Sequence, residues 1–316
     1  MRFFHDLHID FLSNRKRFYI LSTSLIILGF GVLLIKGITL GIDFKGGTEM
    51  MVRFQNSVEI QTVRESMDIA GLTGAEIKTM GVETDILIRT GEQGEGTTTS
   101  DKIKEALTKT FPDNKYEVLR IDKVGPKIGK ELRIAAIYAT IFSLIGILIY
   151  LAIRFELVYA VGAVIALFHD VLVTLGVVAI FGALFPALNL ELSQSMVAAF
   201  LTLIGFSVND TVIVFDRIRE NIKLYKNEDI LHVMNKSVNT TLSRTIITSG
   251  TVFLTVIILL LFGGEVNRGF AFVFSVGVIT GTYSSVFVAS AFVVDIKYWQ
   301  KKKKLNAPGK IAIKKA

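Results

Sequence analysis

Long apolar runs separated by short charged stretches make up most of the chain. A helix needs about 18 or more apolar residues to cross the ~30 Å hydrocarbon layer of a bilayer. Six runs meet this requirement, at residues 18–35, 134–153, 157–181, 196–215, 245–262 and 270–294. The pattern therefore predicts a polytopic α-helical membrane protein with six transmembrane helices.

The distribution of lysine and arginine predicts how these helices are oriented. Basic residues cluster before the first run, between the fourth and fifth runs, and after residue 294, where eight lysines follow. Because basic loops tend to stay in the cytoplasm, both termini are expected there. Residues 14–17 are Asn-Arg-Lys-Arg, and no small-residue cleavage site lies near the first run. We therefore expect a retained helix and not a cleaved signal peptide.

Residues 41–127 lie between the first two runs and follow a shorter pattern. Strand-like segments cover 48–54, 75–80, 85–89 and 116–124, and helical segments cover 58–69 and 100–111. The order βαββαβ is typical of a ferredoxin-like α+β domain, which we expect on the extracytoplasmic side. Its second helix should be capped by Ser100 or Thr99, after a flexible loop rich in glycine and threonine at 91–99.

The predicted organisation thus has five parts. They are a cytoplasmic segment at 1–17, the first transmembrane helix at 18–40, the extracytoplasmic domain at 41–127, transmembrane helices two to six at 128–296, and a basic cytoplasmic tail at 297–316.

Composition and charge agree with a membrane location. The apolar fraction of 51% exceeds what a soluble domain of this length needs for its core. The extracytoplasmic domain has 15 acidic and 12 basic residues, a net charge of −3. The whole chain has a net charge of +7, so the residues outside this domain carry +10. These basic residues flank the predicted helices, which favours anionic lipid head groups over nucleic acid as their partner. The absence of cysteine excludes disulfides and thiolate metal sites.

Asp210 lies inside the fourth apolar run, five residues before its end at Phe215. An ionisable residue in a membrane helix is costly and is a functional candidate by default. At ~1.5 Å per residue, Asp210 lies about 7 Å inside the cytoplasmic end of its helix. Arg244 stands at the mouth of the fifth run on the same side, which predicts an Asp210–Arg244 ion pair. Alternatively, Asp210 is the last polar residue before the interface and is satisfied by Asn209, Thr211 or Arg244.

Polar residues also recur along one face of the fifth run at spacings of three and four. They are Thr241, Arg244, Thr248, Thr251 and Thr255. Two interpretations remain open. The hydroxyls order a file of water beside Arg244, or they bond to their own backbone carbonyls and hold helices together.

A second titratable pair, His169-Asp170, lies about twelve residues into the third run, near the bilayer centre. It is a weaker candidate for participation in the same pathway. The alternative is a packed histidine bonded to a neighbouring helix, because adjacent residues on a helix do not face each other.

Two glycine-rich elements bracket the extracytoplasmic domain. In GIDFKGGT, at 41–48, the paired glycines suit positive φ angles at the entry to a strand. In GPKIG, at 125–129, the proline suits the first turn of a helix. The residues of interest in them are Asp43, Phe44, Gly46, Gly47, Gly125, Pro126 and Gly129.

Four motifs in this order resemble the SecF family of the bacterial Sec protein export machinery. They are GIDFKGGT at 41–48, VGPKIGKEL at 124–132, SVNDTVIVFDRIREN at 207–221 and NTTLSRTIITS at 239–249. The resemblance covers nearly the whole chain. It implies half of an RND-type transporter, with a periplasmic ferredoxin-like domain between the first two helices.

The resemblance also implies a function and partners. SecF proteins work with SecD beside the SecYEG channel and use the proton-motive force to help draw polypeptides outward after SecA has pushed them across. YajC and the translocating preprotein are further implied partners, and no cofactor is implied.

In the family pattern, the positions of Asp210 and Arg244 are associated with proton transport. Asn209, next to Asp210, and Thr248, on the polar face with Arg244, are assigned to the same proton pathway. Asp216 and Arg217 continue the fourth-helix motif. We expect these two at the cytoplasmic surface, as anchors or subunit contacts.

Other functional classes fit less well. An intramembrane aspartyl protease would need Asp170 and Asp210 at one depth, and its GxGD signature is absent. An RND-like exporter of a small molecule or lipid would be expected to have a larger outer domain. No phosphate-binding P-loop is present, so ATP is not the expected energy source. The His5 and His8 segment suits an amphipathic surface helix better than a metal site, so no metal is predicted.

Overall fold

The computed structural model describes residues 9–92 and 97–305. The predicted surface segment around His5 and His8, part of the 91–99 loop and the end of the basic tail lie outside these residues. In chain order the elements are α1 (Arg15–Lys36), α2 (Ile42–Lys45), β1 (Gly47–Phe54), α3 (Ile60–Ile69), β2 (Glu76–Met80), β3 (Val82–Thr90), α4 (Thr98–Thr110), β4 (Tyr116–Val124), α5 (Pro126–Arg154), α6 (Leu157–Leu184), α7 (Gln194–Leu224), α8 (Ile230–Phe262), α9 (Gly264–Ser284), a π-helical turn (Ser285–Ser290) and α10 (Ala291–Leu305).

Six helices within the described ranges are long and apolar enough to cross a membrane. Five are α1, α5, α6, α7 and α8, and the sixth is the nearly continuous helix formed by α9, the π-helical turn and α10. The predicted fold class, a six-helix membrane protein with an α+β domain after the first helix, is confirmed.

The helices extend well beyond the apolar runs. Helix α7 continues to Leu224, nine residues past the predicted end, and α8 begins at Ile230, fifteen residues before the predicted start. Hydropathy marks only the apolar part of a helix, whereas backbone hydrogen bonding continues through polar residues. The connection between the fourth and fifth helices is therefore much shorter than the gap between their apolar runs, because only residues 225–229 join α7 to α8.

The sheet domain forms an antiparallel sheet with strand order β2-β3-β1-β4. Alternate residues of the central strands, such as Val52 and Ile88, are fully buried against α3 and α4. This is the predicted ferredoxin-like arrangement. The predicted cap of α4 is wrong, because the helix begins at Thr98. Thr97 precedes it and donates a 2.6 Å hydrogen bond to Asp101 in the first turn.

Small residues bring the membrane helices close together. A Cβ added to Gly281 on α9 would lie 3.0 Å from the Cβ of Ser207 on α7, and one added to Gly277 would lie 2.7 Å from Leu203. Helix α9 therefore lies directly against α7, with α6 and α8 on its other sides. This contact places the polar side chains of four helices in one region.

Candidate functional site

Asp170 on α6 is the most highly connected buried carboxylate of the helix bundle among the described residues. Its side chain is 1% exposed. Ser207 on α7 donates a 2.5 Å hydrogen bond to Oδ2, and Ser284 on α9 donates to the same atom over 2.8 Å. Asp170 thus joins three helices through hydroxyl groups.

His169 completes this cluster. Its Nδ1 lies 3.0 Å from Asp170 Oδ1, although the sequence predicted that adjacent residues on the helix would not face each other. Both side chains are long enough to turn toward each other along the helix surface. The imidazole ring also stacks on Tyr283, with centroids 5.8 Å apart and planes at 29°. Tyr283 in turn donates to the carbonyl oxygen of Phe18 and lies 2.9 Å from Ser22 Oγ, which extends the polar contacts to α1.

Asp210 on α7 is equally buried, with 1% of its surface exposed. Ser249 on α8 donates a 3.0 Å hydrogen bond to Oδ2, and Thr282 on α9 donates to Ser249 over 2.8 Å. Oδ1 has no hydrogen-bond partner in the described part of the chain. Asp210 therefore has one direct donor, which is itself positioned by a third helix.

The two carboxylate clusters share helices α7 and α9. Ser207 and Asp210 are three residues apart on α7, a rise of ~4.5 Å on one helix face. On α9, Thr282 donates to Ser249, the hydroxyl that binds Asp210, and Ser284 donates directly to Asp170. Four helices thus contribute to two neighbouring clusters of carboxylates and hydroxyls, groups that take part in hydrogen bonding and can carry a proton.

The structure corrects the predicted Asp210–Arg244 ion pair. Arg244 lies within α8 and not at its mouth, its side chain is exposed, and it forms no ion pair with Asp210 among the described residues. The reason is helical geometry. Ser249, five residues further along, faces Asp210, and five residues at ~100° each turn Arg244 about 140° away from that face. Arg244 is nevertheless close enough to Asp210 to interact with it electrostatically.

The threonine stripe of α8 favours one of the two interpretations left open. Thr248 donates to the carbonyl oxygens of Arg244 and Thr245, and Thr251 and Thr255 donate to carbonyls one turn earlier. Their hydroxyls are bonded to their own helix, as threonines in membrane helices commonly are. The hydroxyl of Thr248 is therefore bonded within α8, and Asn209 is exposed on another face of α7.

Asp216 and Arg217 take part in exposed ion pairs. Arg154 at the end of α5 lies 3.2 Å from Asp216, and Arg217 pairs with Glu220 over 2.6 Å. The Arg154–Asp216 pair joins the end of α5 to α7, the Arg217–Glu220 pair lies within α7, and both are separate from the buried carboxylates.

The two glycine motifs meet in space, which the sequence did not predict. Gly46 and Gly47 have φ angles of 77° and 136°, and a Cβ on Gly47 would lie 2.5 Å from the carbonyl oxygen of Thr90. Gly125 and Pro126 start α5, and one turn later a Cβ on Gly129 would come within 3.2 to 3.4 Å of the backbone of residues 43–46. Phe44 is 2% exposed, and Asp43 accepts a hydrogen bond from the backbone of α7.

Four hydroxyl residues of the site were missed in the sequence. They are Ser207, Ser249, Thr282 and Ser284. One signal was present: Ser207 stands three residues before Asp210, on the same helix face. The spacing of Gly277 and Gly281 is typical of a close helix contact, but it does not show which carboxylate lies at that contact.

Comparisons with known proteins agree on one family. The model for "Protein export membrane protein SecD/SecF, C-terminal" matches residues 102–299, and that for the "SecD/SecF GG Motif" matches residues 31–58. The protein translocase subunit SecF of Rhodothermus marinus is 45% identical over 297 residues, covering 94% of this chain and 96% of its own. That of Calditerrivibrio nitroreducens is 43% identical over 308 residues, covering 94% and 97%.

Solved structures support the same assignment. The chain is similar to SecDF, a translocon-associated membrane protein from Thermus thermophilus, with a TM-score of 0.81 and 36% identity over 93% of this chain. It spans 39% of that SecDF chain. The chain belongs to the SecF family of protein translocase subunits.

Proposed function

We propose that this chain and a SecD partner form an RND-type unit in the bacterial cytoplasmic membrane that uses the proton-motive force to assist polypeptide export. In this proposal the unit lies beside the SecYEG channel and acts after SecA has driven the polypeptide across, with YajC as a further neighbour. Both termini are cytoplasmic, in keeping with the basic residues that flank the helices. The chain catalyses no covalent reaction.

The observation that carries this proposal is the buried Asp210, held by Ser249 and Thr282 across three membrane helices. A charged carboxylate in a membrane interior is costly, so such groups are found where protons or ions pass. A carboxylate only accepts hydrogen bonds, whereas a carboxylic acid also donates one. Taking up a proton at Asp210 would therefore change its bond to Ser249 and the contact between α7, α8 and α9.

The surface of α8 supports a membrane-embedded partner. Arg244 is exposed on a helix whose outward-facing residues, such as Leu254 and Ile258, are apolar. A guanidinium facing lipid is costly unless a polar group covers it. A SecD half packed against this face would shield Arg244 and complete a pathway for which this chain supplies one side.

The proposal is tested in membrane vesicles that contain the Sec channel and the partner, with or without this chain. Export of a preprotein is started with SecA and ATP, ATP hydrolysis is then stopped, and a proton gradient is imposed. Completion of export should require both the chain and the gradient. Gradient-driven completion that is equal without the chain would contradict the proposal. Gradient-driven loss of a small molecule or lipid, with preprotein export unaffected by the chain, would favour an RND-like exporter instead.

A further inference from the structure

We infer that Glu191, in the loop between α6 and α7, is a positioning residue that joins the outer end of α7 to the sheet domain, an assignment that rests on the proposed function. Through this joint the domain and the helix that bears Asp210 move as one body. The joint consists of buried ion pairs, a backbone bridge and a helix cap. Residues 191–194 make all three contacts, with Lys78 and Arg89 of the sheet and with the segment 39–43.

The ion pairs centre on Glu191, whose side chain is 7% exposed. Lys78 Nζ on β2 lies 2.7 Å from Glu191 Oε1, and Arg89 on β3 forms an ion pair with Glu191 Oε2. Within the sheet, Arg89 also pairs with Glu49 over 2.5 Å, and Lys78 pairs with Glu76 over 2.8 Å. Glu191 therefore connects the loop between α6 and α7 to a network of ion pairs on the sheet.

A backbone bridge lies next to these ion pairs. Leu40, just before the sheet domain, pairs with Leu192 in a parallel bridge. The amide of Gly41 donates to the carbonyl of Leu192 over 2.9 Å, and the amide of Leu192 donates to the carbonyl of Thr39 over 2.8 Å. The loop is thus fixed to the chain segment that leaves α1 and enters the domain.

The third contact is a helix cap supplied from outside α7. Asp43 accepts a 2.8 Å hydrogen bond from the amide of Gln194, the first residue of α7. A carboxylate is favourable at this position because the amino end of a helix carries partial positive charge. Asp43 is in turn held by the packing of Phe44 and by the close approach of Gly129.

The joint connects the domain to the site in a direct way. From Gln194 to Asp210, α7 is an unbroken helix, which at ~1.5 Å per residue is a rod of about 24 Å. Beside the joint, a cavity of about 570 Å³ separates the sheet from the outer ends of α7 and α9. Contact between the sheet and α7 is therefore concentrated at the joint. A shift of α7 at Asp210 would reach the sheet through Glu191, Leu192 and Asp43.

Replacement of Glu191 tests the inference. In vesicles with the full export complex, E191Q should lower gradient-driven export by roughly tenfold, since a buried acceptor of two cations is neutralised. Proton uptake by the same vesicles should remain at the wild-type rate, because Asp210 is untouched. E191D, which keeps the charge, should restore part of the export. E105Q is the matched control, since Glu105 forms an exposed pair with Lys109 and should have no effect. Wild-type export with E191Q would overturn the inference, and so would an equal loss of proton uptake, which indicates a general structural defect.

A disulfide tests whether the joint is rigid during the cycle. The chain has no cysteine, and directly paired residues of adjacent extended segments lie within the range that a disulfide spans. The L40C/L192C variant should keep wild-type export when oxidised, and the disulfide should restore export to E191Q. If oxidation abolishes export, the loop and the domain must separate during the cycle, and the inference fails. D210N in the same assay separates the two proposals. Normal gradient-driven export with D210N refutes the proposed function, whereas loss with D210N but no effect of the Glu191 variants refutes only the joint.

Discussion

Ser249 on α8 donates a hydrogen bond to Asp210 on α7 over 3.0 Å, at the place where an ion pair with Arg244 was predicted. The proton pathway proposed here therefore begins with a carboxylate and a hydroxyl, and Arg244 stands apart on the exposed side of α8. A neutral donor leaves Asp210 free to change its protonation without breaking a buried ion pair. Arg244 remains available to a partner.

Removing the Ser249 hydroxyl should impair the proposed proton step. S249A deletes the direct donor to Asp210, which costs about 1–3 kcal/mol for a buried group. It should reduce gradient-driven export, but the reduction should be several-fold smaller than that caused by loss of Asp210 itself. T255V is the control, because the Thr255 hydroxyl bonds to its own helix. Adding S249A to D210N should cause no further loss. An S249A variant as active as T255V would show that this hydrogen bond is unimportant.

Asp170 should contribute mainly to stability. D170A leaves two serine hydroxyls and the imidazole of His169 without their buried acceptor, which should lower the free energy of unfolding in detergent by about 1–3 kcal/mol. D170N keeps an acceptor oxygen and should lose less. D216A, which removes an exposed ion pair, should change stability by about 0–1 kcal/mol. Equal unfolding midpoints for D170A and D216A would contradict this role.

The close contact between α7 and α9 should not tolerate an added methyl group. In G281A the new Cβ would lie 3.0 Å from the Cβ of Ser207, an atom that side-chain rotation cannot move. The helices must separate, at a cost of about 1–3 kcal/mol. G250A has no atom within 4 Å of the added Cβ and should instead be stabilising by roughly 0.5–1 kcal/mol. Thermal unfolding of both variants checks the difference, and a G281A protein as stable as G250A would refute the tight contact.

The joint between the sheet domain and α7 should withstand a wide range of pH. Burial acts against the charge of Lys78, but its hydrogen bonds with Glu191 and Glu76 prevail and raise the pKa of Lys78 above its ordinary value of 10.5. Similarly, burial favours neutral Glu76, yet Lys78 and Arg89 lower the pKa of Glu76 below 4.5. The stabilisation by Lys78 is complete below pH 10.5 and is lost as the pH rises through its higher folded value. That by Glu76 is complete above pH 4.5 and is lost as the pH falls through its lower folded value.

Hydrogen exchange of the backbone amides of residues 189–194, corrected for the intrinsic exchange rate, measures how stable the joint is at each pH. Protection should stay constant from pH ~6 to ~9 and decline only outside the two ordinary values. A loss of protection within that range would contradict the assignment of these ion pairs.

Elements that bury their own apolar residues were predictable from the sequence. Six apolar runs marked six helices, and the strand-like segments at 85–89 and 116–124 lie in strands of the sheet. Helix ends were less predictable, because α8 continues for fifteen polar and mixed residues before its apolar part. That extension placed Arg244 inside a helix and turned it away from Asp210.

The partners of the buried carboxylates could not be predicted, because neighbouring helices supply them. Asp170 was ranked below Asp210, yet it has three hydrogen-bond partners from α6, α7 and α9. Serine and threonine occur throughout the apolar runs, and only tertiary packing decides which of them face a carboxylate. In the same way, no local pattern showed that Glu191 would meet Lys78 and Arg89, which lie about a hundred residues earlier in the chain.

The central claim is that Asp210 takes up the proton that drives export, and D210N compared with D216N tests it most directly. The two aspartates lie on the same helix, one buried and one exposed. With ATP hydrolysis stopped and a proton gradient imposed, D216N should complete export at the wild-type rate, whereas D210N should show no acceleration by the gradient. Gradient-driven export by D210N at the wild-type rate would contradict the account.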